Sequence, residues 1–229
     1  MLTFGCVVTA AGRGERLGGS TPKALQEIGG IPMLAHALTA LVSHAQVVSI
    51  VVTAPLDHLQ QAKDAVGPVD HPDLRVVVGG HTRTDSVRAG VAALPDSVSG
   101  ILVHDAARPF VPIEVVDAVI TAVNAGNPAV IPGIAVVDTI KIVGADDVVV
   151  QTPERSQLRA IQTPQGFRAD VLRQALATPD AEPATDDAQL VERLGVPVRV
   201  VPGHSDAMKV TTPADLTRAA DILAGRHVR

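Results

Sequence analysis

The segment from Thr9 to Lys23, Thr-Ala-Ala-Gly-Arg-Gly-Glu-Arg-Leu-Gly-Gly-Ser-Thr-Pro-Lys, holds four glycines and three cations in fifteen positions. It follows Cys6-Val7-Val8, a short apolar run that reads as a buried strand. Small residues let a ligand approach the backbone closely, and main-chain N–H groups exposed in such a turn bind phosphate oxygens. Arg13, Arg16 and Lys23 add the positive charge that a polyphosphate requires. The segment is expected to hold a nucleoside triphosphate; the plain alternative is a surface loop with unrelated cations.

Spacing excludes two common glycine loops. The dinucleotide fingerprint needs G-x-G-x-x-G and an acidic residue about 20 residues further on. Gly12, Gly14 and Gly18 run one residue too long, and the next strand, Val47 to Val52, ends in Thr53-Ala54-Pro55 with no carboxylate. The P-loop needs Lys directly after its last glycine, whereas Ser20 follows Gly19 and Lys23 comes three residues late.

Further polar groups stand at later strand ends. Gly79-Gly80-His81-Thr82-Arg83-Thr84-Asp85-Ser86 places glycines before a helix start, with Ser86 available to a base or phosphate and Thr84 or Asp85 as a cap. His104-Asp105-Ala106-Ala107-Arg108 ends the next strand. A lone carboxylate facing a triphosphate suits Mg²⁺, which takes one or two carboxylates and completes its shell with phosphates and water. Arg108 can pair with Asp105 or bind a second anion. Asp138-Thr139-Ile140-Lys141, Arg155, Thr163-Pro164-Gln165, Thr185-Asp186 and Lys209 form polar islands in an apolar C-terminal half.

The elements that must position these groups follow an α/β rhythm. Apolar β-branched runs near 2–11, 47–52, 74–78, 101–103, 129–131 and 198–201 alternate with segments of helical period, the pattern of a mainly parallel sheet covered by helices. Met33, Leu34, Ala37, Leu38 and Leu41 share one helix face, and Val115, Val116, Val119, Ile120 and Val123 another. Thr212-Pro213-Ala214-Asp215 is a strong helix start. Between 134 and 162 the rhythm breaks into a β-hairpin signal with an acidic turn at Asp146-Asp147. So much apolar surface on an inserted hairpin needs a cover, and the same arm of a second subunit is the economical one. A homodimer built through this arm is expected, the alternative being an arm folded onto its own domain.

Composition narrows the function. The chain of 229 residues is 46% hydrophobic and 19% charged, enough for one large domain. Its net charge of −5, with three Phe and no Trp or Tyr, argues against nucleic acid or a membrane surface as partner. No apolar run approaches the roughly 20 residues that span a bilayer, and the N-terminus lacks a signal-peptide pattern, so a cytoplasmic location is expected. The single Cys6 excludes an internal disulfide and Cys/His metal clusters.

Taken together, Thr9-Ala-Ala-Gly-Arg-Gly-Glu-Arg-Leu…Pro22-Lys23, Gly79-Gly80…Arg83-x-Asp85-Ser86-Val87, Val103-His-Asp-Ala-Ala-Arg-Pro109, Asp138-Thr139-x-Lys141, Gln162-Thr-Pro-Gln165, Thr185-Asp186 and Lys209-Val-Thr211 resemble the 2-C-methyl-D-erythritol 4-phosphate cytidylyltransferases. The resemblance runs over nearly the whole chain in order and spacing. One departure is Thr9, where the family usually has Pro; since Thr9 precedes the proposed contacts, only a modest effect on the strand exit is expected. The resemblance implies an α/β fold: a single Rossmann-like nucleotidyltransferase domain, residues 1–229, with a mostly parallel twisted sheet and a protruding β-arm, 134–162, that dimerises. It implies condensation of CTP with methylerythritol phosphate, with Mg²⁺ or another hard divalent cation on Asp105. Arg16 and Lys23 would stabilise the transition state, and Arg155 and Lys209 would position the substrate phosphate. Ala10, Ala11, Gly12, Gly80, Ser86 and Ala106 would hold CTP, and Arg108, Thr139, Thr163 and Thr185 would lie near the acceptor, Thr139 and Arg155 acting across the dimer. Alternatives are a cytidylyltransferase for another polyol phosphate such as ribitol 5-phosphate, a dinucleotide-dependent oxidoreductase, and a catalytically silent nucleotide-binding module.

Overall fold

The computed structural model describes residues 1–12, 22–178 and 184–227. Arg13 and Arg16, with most of the opening glycine segment, lie outside the described residues. The strands are β1 (Phe4–Thr9), β2 (Glu27–Ile28), β3 (Ile31–Pro32), β4 (Val47–Ala54), β5 (Leu74–Val78), β6 (Gly100–Asp105), β7 (Ala129–Ala135), β8 (Ile142–Val143), β9 (Val149–Gln151), β10 (Arg159–Ile161), β11 (Gln165–Arg168) and β12 (Val198–Pro202). The α-helices are α1 (Met33–Val42), α2 (Leu59–Val66), α3 (Arg83–Ala93), α4 (Ile113–Asn124), α5 (Ala169–Ala177), α6 (Asp187–Glu192) and α7 (Pro213–His227).

Eight strands form the main sheet in the order β5-β4-β1-β6-β11-β7-β10, with β12 also on β7. Strands β5, β4, β1 and β6 pair in parallel, as do β7 and β12, while β11 and β10 run against their neighbours. The mostly parallel α/β sheet expected from the apolar rhythm is therefore present. From β1 the chain winds outward through β4 to β5, then crosses back to β6 on the other side of β1. In open α/β sheets, that reversal leaves a crevice at the strands' carboxyl ends, where ligands bind.

Alternation along β1 shows why the centre of the sheet is stable. Phe4, Cys6 and Val8 join the core beneath α1, α2 and α4, while Val7 joins the core beneath α3, α5 and α6. The expected inward faces of α1 and α4 are buried as read. Full burial of a Leu, Ile or Phe side chain contributes about 1.5–3 kcal/mol, and Leu34, Leu38, Leu41, Ile50, Ile101 and Leu102 are all fully buried. Gly90 lets α3 lie close on the sheet, because a Cβ there would collide with Val7. That close packing holds the N-terminus of α3 over the crevice.

Two local features differ from the sequence reading. Thr82 caps α3, not Thr84 or Asp85; its side chain accepts from Asp85 N while Asp85 returns a bond to Thr82 N. Strand β11 was unforeseen: it inserts antiparallel between β6 and β7 and buries Gln165, Gly166 and Phe167.

Residues 142–151 do form a hairpin, β8 with β9, in a separate two-stranded sheet, with Asp147 in the left-handed region at its turn. Val137, Val148, Val149 and Val150 are exposed around it.

Candidate active site

Thr9 and Asp105 are the last residues of β1 and β6 and stand opposite each other in register, at the point where the winding reverses. Asp105 is almost fully buried, and its carboxylate gathers three side chains. Lys209 Nζ donates to Oδ2 at 2.7 Å. Arg83 approaches Oδ1 through Nε and Nη2, each at 3.2 Å. Thr9 Oγ1 lies 3.3 Å from Oδ1 and 3.3 Å from the His104 carbonyl. Burial raises the Asp105 carboxyl pKa, but Arg83 and Lys209 outweigh it and hold the group well below the usual carboxylate range. Asp105 is thus ionised at any physiological pH. Thr9 is not upstream of the site, as the sequence reading had it; its hydroxyl touches the central carboxylate.

Arg83 opens α3 and faces two carboxylates. Its Nη2 also lies 2.8 Å from Asp187 Oδ2. Asp187 opens α6 and is fully buried, and neither of its oxygens completes an aligned hydrogen bond. The contact is therefore ionic. Burial pushes the Asp187 carboxyl up, with Arg83 pulling the other way. Arg83 and Asp187 were absent from the sequence-expected site residues. The available signal was a cation at a helix start directly after a glycine pair; nothing local marked Asp187 as more than a helix-start residue.

Beneath this cluster runs a chain of hydrogen bonds. Asp105 N–H donates to Thr163 Oγ1 at 3.1 Å, and Thr163 Oγ1 lies 2.9 Å from His104 Nδ1. His104 Nε2 lies 3.1 Å from the Arg108 carbonyl, which can only accept, so the proton sits on Nε2 and Nδ1 accepts from Thr163. Burial lowers the His104 pKa to about 4, which keeps the ring neutral. Arg108 does not pair with Asp105. Its guanidinium donates to the carbonyls of Ala207 at 2.7 Å and Ile161 at 3.2 Å, and its Nε is buried without a partner. In this arrangement Arg108 ties the Lys209 segment to the β10 side of the sheet, and Val210 N–H to the Ala107 carbonyl, 2.8 Å, adds a second tie.

A cavity of about 960 Å³ opens over these strand ends and is lined by Thr9, Ala10, Ala11, Gly12, Lys23, Gly79, Gly80, Arg83, Ser86, Asp105, Ala106 and Lys209. The structure therefore brings together Ala10, Ala11, Gly12, Gly80, Ser86, Ala106, Lys23, Asp105 and Lys209 from the expected set. Ser86 is buried; its hydroxyl accepts from Gly80 N–H at 3.1 Å and donates to the Thr82 carbonyl at 2.9 Å, pinning the glycine turn to α3. A Cβ on Gly80 would collide with Asp85, so glycine is needed there for the turn to pack. Thr163 lies under the cavity floor. Thr139, Arg155 and Thr185 are exposed and do not line it. Arg155 donates to the Val137 carbonyl at 2.6 Å within the hairpin region. A second hollow, about 1060 Å³, lies between α1, α4 and α7 and contains none of the expected site residues.

Among the described residues, no group of three or more His, Cys, Asp or Glu side chains is placed to hold a metal. Asp105 alone nevertheless fits a hard cation that draws its remaining oxygens from phosphates and water. It is ionised, it faces the cavity, and its Oδ2 carries only Lys209, whose side chain is 43% exposed. None of the described helices is long and apolar enough to cross a membrane.

The comparisons with known proteins converge on the same chemistry. Residues 4–225 match the family model for 2-C-methyl-D-erythritol 4-phosphate cytidylyltransferase, IspD. A cytidylyltransferase of that name from Frankia casuarinae is 54% identical over 218 residues, covering 95% of this chain and 80% of the relative. One from Streptomyces coelicolor is 49% identical, covering 97% and 85%. Among solved structures, the 4-diphosphocytidyl-2C-methyl-D-erythritol synthase of Anaerococcus prevotii superposes with a TM-score of 0.86 at 30% identity, covering 97% of this chain and 99% of that one. The Thermus thermophilus cytidylyltransferase gives 0.75 at 32% identity, covering 95% and 98%. With one family match running across residues 4–225 and a relative at 54% identity over 95% of this sequence, the chain belongs to the 2-C-methyl-D-erythritol 4-phosphate cytidylyltransferase family.

Proposed function

We propose that the protein condenses CTP with 2-C-methyl-D-erythritol 4-phosphate to 4-diphosphocytidyl-2-C-methyl-D-erythritol and pyrophosphate, a step of non-mevalonate isoprenoid synthesis. The observation that carries this reading is the convergence of Lys23, Arg83, Lys209 and Asp105 on one cavity walled by Ala10, Ala11, Gly12 and Gly80. It is an anion-binding inventory with small walls, to which the exposed His81 adds a further side chain.

The chemistry needs little more. The second pKa of a phosphate monoester is about 6, so the acceptor is largely dianionic near neutral pH. An acceptor phosphate oxygen attacks the α-phosphorus of CTP in line, and the bond to pyrophosphate breaks. No general base is required, in keeping with a His104 that is buried, bonded at both nitrogens and neutral. The barrier is anion repulsion and charge build-up at phosphorus, so positioning and preorganised charge carry the rate. Lys23, together with Arg16, takes the developing negative charge on the pyrophosphate side. Lys209, moving off Asp105, meets the acceptor phosphate. The small residues Ala10, Ala11, Gly12, Gly80 and Ala106 admit the nucleotide, and Ser86 holds the turn that receives it. Mg²⁺ bound at Asp105 would supply neutralisation of phosphate charge.

The acceptor side draws on groups outside the cavity. The arm, 134–162, pairs with its copy in a homodimer, and Thr139 and Arg155 reach the partner's site, while Thr163 and Thr185 stand by the acceptor of their own subunit. The exposed valines around β8 and β9 support this reading. The reaction takes place in the cytoplasm, where nucleoside triphosphates are made. Pyrophosphate release with CTP and a panel of polyol phosphates tests the proposal; release with ribitol 5-phosphate and none with methylerythritol phosphate would overturn it.

A further inference from the structure

Asp187 is not needed to cap α6. The start of α6 is already capped by Asp186, whose side chain accepts from Gln189 N–H at 3.0 Å. Gln165 of β11 also fixes that start, donating to Asp186 Oδ2 at 2.8 Å and accepting from Ala188 N–H at 3.2 Å. Yet Asp187, one residue on, is fully buried with no aligned hydrogen bond to either oxygen. Burying a charge so sparsely compensated is costly, and a nonpolar or amide side chain of like size would serve packing better. What the carboxylate does have is Arg83 Nη2 at 2.8 Å. That same guanidinium holds Asp105 Oδ1 through Nε and Nη2, and Asp105 holds Lys209. The four side chains alternate in charge from the α6 start to the cavity.

We propose that Asp187 is a positioning residue for cytidylyl transfer: its buried charge anchors the Arg83 guanidinium, and through it sets where Asp105 and Lys209 stand at the strand ends. Without that anchor, Arg83 has one carboxylate instead of two and is free to follow Asp105 or the incoming phosphates. The cavity walls that admit CTP are unaffected, because Ala10, Ala11, Gly12 and Gly80 do not depend on Asp187. The charge network fails while the nucleotide pocket stays, so the effect belongs in kcat and not in the KM for CTP. The inference rests on the proposed reaction, and wild-type turnover is its control: an inactive wild type sinks the reaction, whereas the variants below sink only the role of Asp187.

Asp187→Asn keeps the shape and removes the charge. Expected are a melting temperature no lower than that of the wild type, a kcat lowered about tenfold or more, and a CTP KM changed less than about threefold. Asp187→Glu and Asp187→Gln share one added methylene, so any packing cost is common to both; Glu, which keeps the charge, should turn over several times faster than Gln. In an Arg83→Lys background, Asp187→Asn should add little, because both changes break one linkage. A kcat for Asp187→Asn within about twofold of wild type, equal rates for Glu and Gln, or losses that multiply with Arg83→Lys would each overturn the proposal. Should Asp187→Asn fail to fold, the Glu and Gln pair decides the matter.

Discussion

Lys209 Nζ stands 2.7 Å from Asp105 Oδ2, joining a loop that leads into α7 to the end of β6 across 104 residues of sequence. The pair places a cation beside the carboxylate that best fits a divalent metal, in the cavity lined by Gly12, Gly79 and Gly80. Arg83 shares the load on Asp105, so Lys209 can leave without stranding a buried charge. Lys209→Ala should accordingly lower kcat/KM for the acceptor about 10²-fold or more, the scale of one lost transition-state charge contact. Because Arg83 stays on the buried Asp105 carboxylate, the variant should remain folded. Steady-state kinetics and a urea titration of the same variant check both halves; a loss of activity matched by loss of fold would contradict the assignment.

Lys23 lines the same cavity from the far end of the opening glycine segment. Lys23→Ala should fold normally and lose about 10²–10³-fold in kcat. An unchanged kcat would remove Lys23 from the chemistry.

Gly80 makes a steric claim that is independent of charge. An added Cβ would collide with Asp85 and sit 2.9 Å from its backbone carbon. Gly80→Ala should push the turn off α3, break the Gly80 N–H to Ser86 Oγ bond, and raise the CTP KM about tenfold or more with a smaller change in kcat. Equal CTP affinity in calorimetry would show that the turn tolerates the shift.

The buried His104 gives a pH signature. Its folded pKa is depressed to about 4 from 6.5. As pH falls through 6.5 the unfolded chain takes up a proton that the folded protein refuses until about pH 4, so stability declines across that interval by up to roughly 3 kcal/mol. Asp105 also loses stabilisation in acid, but that loss starts only as pH falls through the ordinary carboxylate pKa of the unfolded chain, about 3.8, and runs on below it. Denaturant titrations should therefore show the decline for wild type between pH 6.5 and 4 and a flatter curve for His104→Gln. Parallel curves would mean that His104 does not titrate as its burial implies.

How much of this could be read from residues alone follows the range of the interactions. The strands β1, β4, β5, β6 and β7 and the inward faces of α1 and α4 rest on local periodicity, and they were readable. Strand β11 was not: Gln165-Gly166-Phe167-Arg168 has one large apolar residue, and its partners β6 and β7 supply the burial. Asp105 was readable as a strand-end carboxylate and Lys23 from its glycine segment, whereas Lys209, in the loop between β12 and α7, was singled out by the family resemblance. The Arg83–Asp187 contact, 104 residues apart, left no local trace, and Arg108 was read as a partner for Asp105 or a second anion because its carbonyl partners belong to distant segments. Thr9 was misjudged because the register of β1 against β6 is what puts its hydroxyl on Asp105.

The exposed hairpin is the place to test the assembly. Val149 and Val150 are 52% and 70% exposed, and Arg155 lies four residues beyond Gln151. Val149→Asp with Val150→Asp should convert a dimer to a monomer in sedimentation velocity, leave the melting curve of the main domain largely unchanged, and abolish turnover if Thr139 and Arg155 act across subunits. A monomeric wild type with full activity would remove the arm from the account.

The strand-end cavity is expected to join CTP to methylerythritol phosphate. The most direct test is pyrophosphate release by the purified protein with CTP, Mg²⁺ and either 2-C-methyl-D-erythritol 4-phosphate or ribitol 5-phosphate, with ATP and GTP in place of CTP as controls. The expected result is release with CTP and methylerythritol phosphate at least about a hundredfold faster in kcat/KM than with any other pair. No release with that pair, or equal release with ribitol 5-phosphate, would contradict it.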